Sequence, residues 1–387
     1  MRILHIVPTY YPATYWGGPI FSVYYLNNEL AKLPEVELNV LTTDAAGPQR
    51  NNSLNVTTLK KELYPNYKVH FTHRILGNSF SLKMVWKTFF FIQKADIVHL
   101  TAVYSPPTIP TLFFCRILKK PVVWSPRGAI LEAFEWKDAR KQHVKRIWDY
   151  VCNTIIKSGT VTLHVTSEEE KEASLARIPK AQAIILKNGV PVPQNLPQRE
   201  WLPNGNTRLL FIGRIHPKKG IENLLDTIKL LNDSSFILKI YGTGEQYYID
   251  ELKQYASDLG LLNSSVFFMG HVDGNEKQNA FLNADICVIP SHSENFGIVI
   301  SESLAHGVPV IASRQTPWQN MEEKGCGLWV KNDPASLAQA IQKIRSMDIE
   351  EMGKNGWLWM KDEFGWERIA QKTYTTYQEI LKGNYDD

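Results

Sequence analysis

The chain holds 387 residues, with 44% hydrophobic and 21% charged side chains and a formal net charge of +4. That length accommodates two ordinary domains, each able to bury a core, and the composition excludes the disordered and fibrous classes. No run approaches the ~18 apolar residues of a membrane-crossing helix. Cys115, Cys152, Cys287 and Cys326 are far apart and form no Cys-x-x-Cys pair, which argues against a zinc site or a disulfide framework and suits a reducing cytoplasm.

In chain order, apolar runs at 2–8, 37–42, 68–73, 97–100, 122–125, 161–166 and 184–186 read as strands. The first lacks a small-residue cleavage site and reads as a strand rather than a leader. Helical patterns fall between several of these runs, at 21–32, 82–94 and 139–156. Such alternation, with nearly continuous apolar strands, predicts parallel sheets covered on both faces. Residues 190–206 then carry Pro191, Pro193, Pro197, Pro203 and Gly205 without a periodic pattern, the signature of a linker. Strands restart at 209–212, 237–241, 266–269, 286–290 and 308–312, and a last helix covers 366–381. The expected organisation is a first domain over 1–190, joined by the terminal helix 366–387, a linker at 191–206 and a second domain over 207–365. Two α/β domains so joined place a ligand in the cleft between them.

The net charge conceals an asymmetry. Residues 1–198 hold 24 Lys and Arg against 14 Asp and Glu, whereas residues 199–387 hold 19 against 25. A basic half beside an acidic one points to an anionic partner for the first domain, although solubility alone accounts for such an imbalance equally well.

Chemistry concentrates in four motifs. The first runs from Phe211 to Gly220, where an apolar strand ends at Gly213 and a loop carrying Arg214 and Lys219 leads into a helix. A helix N-terminus with an Arg fork and a Lys point charge suits a diphosphate. In the second, the strand 286–290 feeds a loop with Glu294, after which Gly297 opens a helix containing Glu302. Amides from Phe296 through Gly297 and Ile298 to Val299 are available to a phosphate, and carboxylates accept hydrogen bonds from vicinal sugar hydroxyls. The third is Tyr15-Trp-Gly17-Gly18-Pro-Ile20, whose glycines let backbone approach a ligand. The fourth is Trp124-Ser-Pro-Arg127-Gly.

With Glu294-x7-Glu302, the Gly-Arg…Lys-Gly loop and Ala305-x-Gly-x-Pro-Val310, the chain resembles the family 4 retaining glycosyltransferases over nearly its whole length. The resemblance implies the GT-B architecture, two Rossmann-like parallel-sheet domains facing a central cleft. It implies that Arg214 and Lys219 hold the donor diphosphate, that Glu294 contacts the transferred sugar and that Glu302 binds the ribose. Asn295, Phe296, Gly297, Ile298 and Val299 would line the donor, Val272 would border the base, and Gly17 and Gly18 would face the diphosphate. Many relatives carry His where Arg127 stands, so Arg127 is expected to clamp a phosphate of donor or acceptor instead. The implied reaction moves a hexosyl group with retention, as in cell-surface polysaccharide synthesis. Its donor is UDP- or GDP-linked, and its acceptor is a glycan or a lipid-diphosphate-linked glycan. No Asp-x-Asp occurs, so neither a bridging metal nor another cofactor is required where the two cations neutralise the diphosphate.

Lys83, Lys87 and Lys94 fall within about 40° on a helix, with Trp86, Phe89, Phe90 and Phe91 expected on its other faces. Trp136 leads into Lys137, Arg140, Lys141, Lys145 and Arg146. Basic helices with aromatics suit an anionic membrane surface and a peripheral place on its cytoplasmic side; solvated outer helices would look similar. His5 and His99, set in apolar strands, read as core or lining residues. A nucleotide-sugar epimerase of the same fold and a catalytically silent nucleotide-binding partner remain open. No zinc-finger, RNP-like or helix-turn-helix signature supports nucleic-acid binding.

Overall fold

The computed structural model describes residues 1–77, 79–130, 139–294 and 296–383, and leaves the side chains of residues 61, 139–141 and 203 undescribed. The chain divides into two units, Met1–Gly189 with Trp366–Asp387, and Val190–Gly365. The first is built on β1 (Arg2–Ile6), β2 (Glu37–Thr43), β3 (Lys68–Thr72), β4 (Ile97–Thr101), β5 (Val122–Ser125), β6 (Val161–Val165) and β7 (Gln182–Ile185). Its sheet is ordered β3-β2-β1-β4-β5-β6-β7 and is parallel throughout. Every residue of β4, β5 and β6 is buried, as expected of strands covered on both faces.

The second unit repeats the plan with β8 (Thr207–Ile212), β9 (Phe236–Tyr241), β10 (Val266–Gly270), β11 (Ile286–Ile289), β12 (Val310–Ser313) and β13 (Gly327–Val330). The order is β10-β9-β8-β11-β12-β13, again all parallel. Strand order therefore reverses between β1 and β4 in one unit and between β8 and β11 in the other, the positions where open α/β sheets bind ligands. β13 had no counterpart in the sequence reading, because Gly-Leu-Trp-Val is too short to show a period.

The first helix spans Gly18–Leu30 rather than 21–32. Pro19 fixes a helical φ in its first turn, and Pro34 disfavours helical geometry at the residue before it. The helix Leu82–Lys94 has the expected bounds and is capped by the Ser81 hydroxyl, which accepts from the Met84 amide at 3.3 Å. Its buried face is Met84, Thr88 and Ile92. The expected separation of aromatics from lysines fails for Trp86 and Phe90, which are 65% and 42% exposed beside Lys83 and Lys94. A 3.6-residue period aims Phe90 within about 20° of Lys83. Lys145 also departs from expectation. It is buried, with Nζ 4.0 Å from the centre of the Tyr104 ring, whereas Arg146 is exposed. Trp136 and Lys137, and the side chains of Arg140 and Lys141, lie outside the described residues.

Residues 191–206, expected as a linker, are fastened to the second unit. Val190 N–H donates to the Phe364 carbonyl at 2.8 Å, and Trp357 Nε1 to Pro193 O at 3.0 Å. Arg199 donates to the carbonyls of Phe281, Ala284 and His306. These carbonyls lie at the ends of the helices Gly274–Leu282 and Ile298–Ala305, where acceptors otherwise go unmet. The terminal helix Trp366–Lys382 packs Trp366, Ile369, Ala370 and Tyr377 into the core of the first unit with Ile3, Val23 and Leu26.

Candidate active site

In the second unit, the loops after β8 and β11 lie at the switch point, and glycine lets them touch. Gly220 has φ +61°, and a Cβ there would sit 2.2 Å from the Pro290 carbonyl oxygen. The same contact is tied by His292 N–H donating to Lys218 O at 2.7 Å, and by Asn332 Nδ2 donating to Pro290 O at 2.8 Å. A third loop joins from β9. A Cβ on Gly242 would lie 1.8 Å from Gly213 O, and one on Gly244 2.0 Å from Ile215 O. Gly242 and Gly244 were missed in the sequence; the signal was Tyr241-Gly-Thr-Gly-Glu245, a Gly-x-Gly closing an apolar strand.

This packing brings opposite charges together. Lys219 Nζ is paired with Glu294 Oε1, which also accepts from Ser291 Oγ at 2.9 Å. Lys277 Nζ lies 2.6 Å from Glu302 Oε1. The other Glu302 oxygen, Oε2, is buried with no partner among the described residues. Arg214 is exposed and has no hydrogen-bond partner among the described residues. Two carboxylates, one of them with an unused buried oxygen, and three cations are thus carried by the loops and helices that flank the central strands β8 and β11. Lys277, on the helix Gly274–Leu282, escaped sequence reading because a lone lysine in a polar helix carries no pattern.

The helix Ile298–Ala305 is entered through Gly297 at φ +73°, a left-handed geometry that favours glycine. The Phe296 side chain is a buried anchor, packed on Trp318 with ring centres 5.3 Å apart, and its carbonyl accepts from Trp318 Nε1. That anchor fixes where the helix begins. Ile298, Val299 and Val272 are half-buried against the same cluster. Asn295 lies outside the described residues.

In the first unit, Gly17 (φ +66°) is the N-cap of the helix Gly18–Leu30, in the loop after β1. Tyr15 and Trp16 beside it are exposed and meet edge to face at 4.9 Å. Arg127 follows β5 at φ +54° and donates to Asn188 Oδ1. Beneath this edge His5 and His99 stack 4.1 Å apart, with His164 at 5.5 Å from His99. Their partners are Asn27, Thr101, Ser125, Tyr377 and the Leu186 carbonyl. Burial pushes His5 and His164 down to about 3, and His99 is also lowered by burial. These histidines are neutral core groups.

Comparison with known proteins bears on the fold. Residues 206–346 fit the family described as Glycosyl transferases group 1. An uncharacterized glycosyltransferase of Methanocaldococcus jannaschii, MJ1178, is 25% identical over 380 residues, covering 96% of each chain. Another from that organism, MJ1607, is 28% identical over 232 residues, which span 56% of this chain and 59% of the relative. Among solved structures, Anabaena HepE in complex with UDP and glucose superposes with a TM-score of 0.73 at 18% identity, covering 98% of this chain and 99% of that one. Two Rossmann-like parallel sheets of this kind define the GT-B class of glycosyltransferases. The match to the group 1 family lies within the second unit, at residues 206–346.

Proposed function

We propose that the protein moves a hexosyl group, with retention, from a UDP- or GDP-linked sugar to a hydroxyl of a glycan or lipid-linked glycan, as in cell-surface polysaccharide synthesis. The observation that carries this reading is the set of paired charges at the β8/β11 switch point. A diphosphate would take over Lys219 from Glu294 and add Arg214. Glu294 would then be free to accept from sugar hydroxyls, and the unused Glu302 Oε2 would accept from a ribose hydroxyl. The helix opening at Gly297 adds its N-terminal dipole to the same anion. Preorganised cations stabilise the charge that develops on the leaving diphosphate, the largest contribution in such chemistry. HepE, of like fold, has been solved with UDP and glucose, which supports a nucleotide-sugar donor here.

An anionic membrane is the surface we propose for the acceptor side. Leu82, Trp86 and Phe90 form an exposed apolar strip at i, i+4 and i+8, with Lys83 and Lys94 alongside. Among the described residues, no helix is long and apolar enough to cross a membrane.

Calorimetric titration with UDP and GDP checks the donor reading. One nucleotide is expected to bind the wild type, and Arg214→Ala to weaken it by about tenfold or more, since a charged hydrogen bond contributes about 1.5–3 kcal/mol. If neither nucleotide binds, the donor assignment is wrong.

A further inference from the structure

We propose that the first unit carries an oxyanion-binding site built on the Arg127 guanidinium, taking the carboxylate or phosphate of an acidic sugar substrate. This deepens the proposed function by naming a substrate class, and it rests on that function only for which substrate bears the anion. Three independent features support it.

The first is unmet hydrogen bonding. Arg127 Nε and Nη2 are both shielded from water and have no partner among the described residues, while the residue as a whole stays partly exposed. A buried donor left unmet costs about 1–3 kcal/mol, more when charged, so natural structures keep few of them without a use. Those two nitrogens form one edge of the guanidinium, and that edge matches both oxygens of a carboxylate or two of a phosphate. Asn188 occupies only the Nη1 corner.

The second feature is the charge. Glu170 is the acidic group whose field acts on Arg127, but its oxygens are committed elsewhere. Oε1 accepts from Gly128 N–H at 2.6 Å, and Oε2 from the Thr166 amide at 2.8 Å and hydroxyl at 2.9 Å. His5, His99 and His164, which also feel Arg127, are neutral and contribute no counter-charge. A bound water would satisfy hydrogen bonds there without adding negative charge. An oxyanion does both.

The third feature is placement and shape. Arg127 lies just past the carboxyl end of β5, at the end of the strands where open α/β sheets bind ligands. Its backbone is held at φ +54°, followed by Gly128 at +77°. A non-glycine residue in that region is strained, and such strain clusters at ligand clamps. Beside it, His164 Nε2 lies 3.0 Å from the Leu186 carbonyl. A carbonyl only accepts, so Nε2 carries the proton and Nδ1 is a bare acceptor; it too is buried without a partner. The two open donors of the Arg127 edge fit the paired oxygens of an acid group.

The test uses the full chain in an Arg214→Ala, Lys219→Ala background, which removes the anion site of the second unit. Inorganic phosphate, glucuronate and glucose are titrated by calorimetry against that protein and against the same protein carrying Arg127→Gln or Arg127→Lys. Binding of phosphate or glucuronate but not glucose is expected, about tenfold weaker in both Arg127 variants. A response to glucuronate alone assigns a sugar carboxylate, one to phosphate alone assigns a phosphate ester, and a response to both supports the shared site. Arg127→Lys keeps the charge beside Glu170 while removing the fork, so its loss of binding separates recognition from a failure to fold. Failure of both anions to bind, or equal binding to the Arg127 variants, overturns the proposal. Titration of UDP and GDP against the unsubstituted chain tests the donor reading separately.

Discussion

Glu294 is the residue on which the proposed donor site turns. It is held by Lys219 and by Ser291 Oγ at 2.9 Å, which keeps a partly buried carboxylate paired and positioned. In the proposed function a diphosphate takes over Lys219, and Ser291 still holds the carboxylate in place. Replacing Glu294 by Ala should therefore lower kcat by about 10²–10³, the usual loss for one preorganised polar group, while nucleotide affinity changes little. Steady-state transfer assays beside calorimetry will decide this, and a wild-type rate would remove Glu294 from the site. Glu294 and Glu302 were legible from context, being set at the end of an apolar strand and on the helix after it. Lys277 and Ser291 were not, because each is a common residue whose role exists only through a neighbour supplied by another element.

Among the elements, the helix Leu82–Lys94 was fully visible, since Ser81 supplies a cap and the apolar period is clear. What the period could not tell was which aromatics would face outward. Packing settled that by burying Met84, Thr88 and Ile92 and leaving Trp86 and Phe90 with the lysines. If this face meets lipid, sucrose-cushion flotation with vesicles containing phosphatidylserine should carry the wild type upward. The double variant Trp86→Ser, Phe90→Ser should remain largely at the bottom, and high salt should act on the lysine contribution. Flotation unchanged by the double variant would mean that this helix is merely solvated. β13 and the fastening of residues 191–206 escaped for the opposite reason: a four-residue strand and an aperiodic proline-rich segment owe their conformations to neighbours.

For the whole molecule, the terminal helix is decisive. Its Tyr377 hydroxyl lies 2.6 Å from His99 Nδ1, so the last helix of the chain completes the polar core beneath β1, β4 and β6. His5 and His164 are pushed down to about 3 by burial, with Arg127 adding to the effect, against an ordinary 6.5 when unfolded. Below pH 6.5 the unfolded chain binds protons that the folded one refuses, so stability falls as pH falls toward 3. Between pH 6.5 and 5 each such histidine should remove about 2 kcal/mol. Urea midpoints are expected to drop over that interval, and His5→Gln should make the drop shallower; a midpoint that is flat or rises on acidification would contradict a neutral histidine core.

By itself, the sequence determined the α/β class, most strand and helix positions, and the charged loops that carry the family signature. These are local properties, written in apolar period, glycine turns and residue type. The tertiary structure decided the sheet orders that make the switch points, which carboxylate meets which lysine, and the burial of Lys145 over Tyr104. It also decided that Arg127 would keep an unmet edge. Each of these depends on groups far apart in the chain, and only packing brings such groups within the few ångströms over which hydrogen bonds and paired charges act.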